Sequence, residues 1–97
     1  MPTYIAMLTW TPQGLQNIKQ SPSRLDAVRK GFEVFGVKMK HFYMVTGQYD
    51  MVAIVDAPDD AALAKAILGA TSQGGITSET CRAFTEDEYR QIVGALT

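Results

Sequence analysis

The chain has 97 residues, 46% of them apolar, which suits one domain whose core needs no disulfide or metal staple. Nine Lys plus Arg against ten Asp plus Glu leave a formal charge of −1, so there is no general electrostatic drive toward nucleic acid or an anionic membrane. Cys81 and His41 are each the lone residue of their type, which excludes an internal disulfide and a zinc-type Cys/His cluster and suits a reducing cytoplasm.

Thr3 to Trp10 is rich in β-branched and aromatic residues and reads as a strand; its apolar part lacks a basic leader and is too short for a signal-peptide core or a membrane span. Thr11-Pro12 matches a helix N-cap followed by proline at the first helical position. Leu15 and Ile18 have helical spacing, and Leu25, Val28, Phe32 and Phe35 resume the stripe. Ser21-Pro22-Ser23, a second cap-like signal, breaks or kinks the helix between them. Gly36 follows the last periodic residue, where a left-handed terminus favours glycine.

From Val37 to Thr46, the set Val37, Met39, His41, Tyr43, Val45 alternates with Lys38, Lys40, Phe42, Met44, Thr46, a period of two that predicts a strand. Its lysine end is expected to be wet and its Phe42–Met44 end covered on both faces. Gly47-Gln48-Tyr49-Asp50 supplies a turn and Met51 to Asp56 the next strand, so the two pair as an antiparallel hairpin. Ala57-Pro58-Asp59-Asp60 opens an Ala-rich helix to about Gly69. After Gln73-Gly74-Gly75 comes a strand from Ile76 to Phe84. Thr85-x-x-Glu88 then forms a capping box ahead of Tyr89, Ile92, Val93 and Leu96.

The order β-α-β-β-α-β-α predicts an α+β, ferredoxin-like βαββαβ fold with an extra C-terminal helix and a four-stranded antiparallel sheet. Helices cover one face of such a sheet, and the other is expected to carry residues such as Trp10, Tyr43 or Met44. In so short a chain the expected cover for that face is a second copy, giving a homodimer or a multiple of dimers.

Gly47-Gln48-Tyr49-Asp50, followed by Val52 to Val55 and Ala57-Pro58-Asp59-Asp60, resembles the GYD domain family. The resemblance continues in Tyr4 to Trp10, Gly74, Thr80 and Arg82-Ala83-Phe84, with Gln48 standing between the Gly and the Tyr. It implies a dimeric α/β barrel, in which two ferredoxin-like sheets close around a cavity. Relatives in that wider superfamily include cofactor-less monooxygenases, haem-degrading enzymes and small-molecule sensing domains.

The residues with chemical potential are few. Gly47 suits a hairpin position with positive φ, Asp50 can accept from backbone amides, and Tyr49 can pack its ring while its hydroxyl finds a polar partner. That is a structural turn; the sharper alternative sends Tyr49 and Asp50 to the mouth of an intersubunit cavity. Regular alternation puts His41 on one face with Met39 and Tyr43, where it could polarise an oxygen or orient a planar ligand, or else simply meet solvent. Haem needs one axial histidine, which keeps haem open although no cofactor is expected. Arg82 shares a strand face with Ile76, Ser78, Thr80 and Phe84 and reads as an anion-binding residue or as one half of a salt bridge. Asp50 is expected to fix the turn, leaving Tyr49 beside His41 toward a ligand.

Two functions fit these residues, beside a purely structural oligomer with no ligand. One is a homo-oligomeric small-molecule-binding or accessory protein holding an apolar or aromatic ligand. The other is a cofactor-independent monooxygenase or isomerase using His41, Tyr43, Tyr49 and Asp50 on a small aromatic, a reading that rests on the superfamily.

Overall fold

The computed structural model describes residues 1–96. The chain runs β1 (Thr3–Trp10), α1 (Pro12–Gln16), α2 (Ser21–Val34), β2 (Lys38–Met44), β3 (Met51–Asp56), α3 (Asp60–Thr71), β4 (Ile76–Ala83) and α4 (Glu86–Gly94), with a 3-10 turn at Ile18–Gln20 between α1 and α2. The strands form one antiparallel sheet in the order β2-β3-β1-β4, so the architecture is the expected α+β, ferredoxin-like one. No helix among the described residues is long and apolar enough to cross a membrane.

Alternation along the two central strands decides which side chains meet the helices. Tyr4, Ala6 and Leu8 of β1 oppose Val55, Ala53 and Met51 of β3, and all six are buried. Phe32 of α2 and Leu63, Ala66 and Ala70 of α3 close over them. Trp10 packs against this cluster too, so it belongs to the helix side and not to the open face expected for it.

The helix break near Ser21 is present, but the serine is not its cap. Gln20 holds the cap position without a side-chain bond, and Ser23 Oγ donates back to the Gln20 carbonyl at 3.0 Å. The caps at Thr11 and Thr85 match their sequence signals, and Asp59, expected in the first turn of its helix, is the cap itself. Thr11 accepts from Gly14 N, Asp59 accepts from Ala62 N, and Thr85 with Glu88 forms the reciprocal capping box.

The larger departure is in β2. Met39 opposes Val55 and His41 opposes Ile54, so Lys40 is the extra residue of a β-bulge. The bulge inverts the faces downstream of it. Met39, Phe42 and Met44 point to the helix side, whereas His41 and Tyr43 point away, and the expected sharing of one face by Met39 and His41 does not occur. Met44 faces the helix side yet is 68% exposed, and Tyr43 is 56% exposed, so the Phe42–Met44 end is not covered on both faces in the single chain.

Candidate functional site

The face turned away from the helices is an aliphatic plateau. Register places Tyr43, Val52, Met7 and Glu79 in one row across the sheet and His41, Ile54, Ile5 and Cys81 in the next. Ile5, Met7, Val52 and Ile54 form its centre and are half-buried without any helix above them. At the β2 margin the His41 and Tyr43 rings stack with centroids 6.4 Å apart and planes 17° from parallel.

The opposite margin is built by the β2–β3 connection. Gly47 adopts φ +135°, and the chain then pins itself with Asp50. The Asp50 amide donates to Leu8 O at 2.9 Å, its carbonyl accepts from Val45 N at 2.8 Å, and its carboxylate accepts from Trp10 N at 3.0 Å. Asp50 therefore fixes the turn, though through an amide forty residues away rather than a near neighbour. With that backbone held, the Tyr49 side chain passes over β1 and its hydroxyl donates to the Glu79 carboxylate on β4. This hydrogen bond, helped by partial burial and the charge of Glu79, holds the Tyr49 phenol above its ordinary pKa of 10.0.

The five residues expected to share a site lie in three places. His41 and Tyr43 rise from β2, while Tyr49 ends on β4, three strand spacings away or roughly 14 Å at about 4.8 Å each. Asp50 is spent on β1. Arg82 is on the helix side opposite Tyr4, where its guanidinium lies 4.4 Å from the centre of the Phe84 ring and 5.7 Å from that of Tyr4. It donates to Thr3 O at 3.2 Å and faces Glu88 at 3.6 Å, which ties the end of β4 to the start of α4. No convergent acid–base pair results from these positions. Among the described residues no three metal-ligating side chains converge either.

Sequence reasoning missed a cavity of about 520 Å3 on the other side of the sheet, between α2, α3 and the strands. Ala6, Ala53, Ala66 and Ala70 are short where a tight core would carry larger side chains, and Gly31 and Gly69 stand on its helical walls with nothing within 4 Å of where a Cβ would be. At one end the layer is closed: a Cβ on Gly14 would come within 2.1 Å of the Gly75 carbonyl oxygen. The available signal was the run of alanines and glycines in α2 and α3, which propensity alone reads only as helix-forming or helix-breaking.

A family model described as GYD domain matches residues 4–93. A protein of Thermus thermophilus named "Glutamine synthetase and cystathionine beta-lyase binding protein" is 37% identical over 85 residues, covering 87% of this chain and 90% of that one. Among solved structures, TTHA0845 from Thermus thermophilus superposes with a TM-score of 0.57 at 25% identity, covering 88% of this chain and 95% of that chain. The leucine response regulatory protein LrpA of Mycobacterium tuberculosis gives 0.64 at 14% identity over 87% of this chain and 51% of that chain, a likeness of fold alone.

Proposed function

This chain belongs to the GYD domain family, and on that premise we propose that it is an accessory protein that binds metabolic enzymes through the open face of its sheet. The observation that carries the reading is the aliphatic plateau of Ile5, Met7, Val52 and Ile54, which no helix or strand among the described residues covers. An apolar core rimmed by His41, Tyr43, Tyr49 and Glu79 has the composition of a protein contact surface, with aromatic groups and hydrogen-bonding capacity at its margin. The name of the Thermus thermophilus relative supports partners of the kind it states, glutamine synthetase and cystathionine β-lyase. The same face serves self-association, and enzyme and second copy then compete for it. The oxygenase or isomerase alternative draws less support, because its polar set does not converge.

The test is sedimentation of the purified chain alone and with purified glutamine synthetase or cystathionine β-lyase. The expected result is a dimer or a multiple of it alone, and co-sedimentation with at least one enzyme at micromolar concentration. Ile54→Asp, which places a charge at the centre of the plateau, should reduce both associations by about a hundredfold or more while leaving the thermal midpoint nearly unchanged. A wild-type monomer that sediments apart from both enzymes overturns the reading.

A further inference from the structure

Proteins of this size close the space between two helices and a sheet with interdigitating side chains, leaving few voids larger than a water molecule. Here about 520 Å3 stays open, within the range of roughly 300–1,000 Å3 typical of small-molecule sites. Its floor is apolar, with Trp10, Phe42 and Met51 from the strands and Val28 and Ile67 from the helices. Gly31 and Gly69, on its two helical walls, are exposed and have nothing within 4 Å of where a Cβ would sit, so the space is open at its mouth between α2 and α3.

Charge gives the space a direction. Arg24 of α2 is the only charged residue on the lining, and its guanidinium lies against Gly75 at the closed end, 3.2 Å from where a Cβ on that glycine would sit. Any side chain at position 75 would crowd it. Arg29, Arg82 and Arg90 each face a carboxylate, at 3.6, 3.6 and 2.7 Å, whereas Arg24 faces none among the described residues. A guanidinium presents a planar fork of donors that matches a carboxylate bidentately. Ser78, also on the lining, already shares a hydrogen bond of 2.7 Å with Thr80 and needs no further partner.

We propose that the cavity between α2, α3 and the sheet binds a small amphipathic monocarboxylate, with its apolar body under the helices and its carboxylate on Arg24. The site lies on the face opposite the enzyme-binding plateau, and each can fail without the other.

Decanoate is the probe, with decanol as its uncharged counterpart, titrated calorimetrically into the full chain. Saturable decanoate binding at one per chain is expected. Arg24→Gln should weaken decanoate by about tenfold or more and leave decanol unchanged. Gly31→Leu, which adds a bulky side chain to the lining, should abolish both, with a melting temperature no lower than that of the wild type; Gly69→Leu adds one on the other wall if Gly31→Leu does not fold. No saturable binding, equal losses for decanoate and decanol on Arg24→Gln, or decanoate affinity unchanged by filling would each overturn the proposal. So would dissociation of a dimer by the filling variants without any decanoate site, which would mean that a helix of a second copy occupies the gap.

Discussion

The two faces of this sheet are made by alternate residues of the same strands and, at their centres, reverse the usual allocation of bulk. The covered face carries Ala6 and Ala53 at its centre under Ala66 and Ala70, and a cavity remains. The bare face carries Ile5, Met7, Val52 and Ile54, large aliphatics with no described helix above them and only the Tyr49 side chain passing over one edge. Stability of the isolated chain would favour the opposite assignment, since burial of a large aliphatic is worth about 1.5–3 kcal/mol and alanine offers much less. The contrast is the one that the two proposals require: association through the open face and a guest under the helices.

Variants in the helix layer sharpen that contrast most. Gly14→Ala drives a Cβ onto the Gly75 carbonyl and should cost about 3 kcal/mol in urea denaturation, because the clash is with backbone on both sides. If Gly14→Ala proves harmless, the layer is loose throughout and the cavity is not a bounded site. On the bare face, Gly47→Val should cost about 1–3 kcal/mol from backbone strain alone, since its φ of +135° is poorly suited to a side chain and no neighbour crowds the position. An unchanged midpoint would mean that the turn carrying Tyr49 over the plateau relaxes freely. Gly31→Ala, in the open part of the helix layer, should raise stability by about 1 kcal/mol through helix propensity. A loss there would show that the gap between α2 and α3 closes in solution.

The smallest effect concerns α4, which joins neither face and leaves Tyr89, Ile92, Val93 and Leu96 exposed. The Thr85 amide donates to the Glu88 carboxylate at 2.9 Å and, with its hydroxyl and the charge of Arg82, holds Glu88 below its ordinary value of 4.5. A lowered carboxylate contributes stability that is complete above the unfolded value and lost as pH falls through the lower folded one. Circular dichroism should therefore show α4 fraying in acid before the sheet melts, and Glu88→Gln should remove that step. An acid transition shared by all signals would place α4 within the cooperative unit.

Element order was legible because its signals are local: Thr11-Pro12 and Thr85-x-x-Glu88 mark caps, Ala57-Pro58-Asp59-Asp60 opens a helix, and Gly47 marks a turn, whatever packs on them. The site was not legible, for three physical reasons. The Lys40 bulge inserts one residue into an unbroken alternation, so His41 changed sides with no change of pattern to announce it. Tyr49 takes a partner, Glu79, that only strand register selects, and Arg82 takes one, Glu88, that the β4–α4 connection brings round. The cavity is defined by atoms that alanine and glycine lack.

The bulge at Lys40 also bears on how large an assembly can become. β2 is an outer strand with unpaired backbone groups along one side, the kind of template on which further strands add without limit. An extra residue at its middle breaks the regular repeat of those groups, and Lys38 and Lys40 set charge along it. Strand-on-strand growth into fibres is disfavoured at that edge, whereas the proposed stacking of plateaus is a contact used up once two are joined.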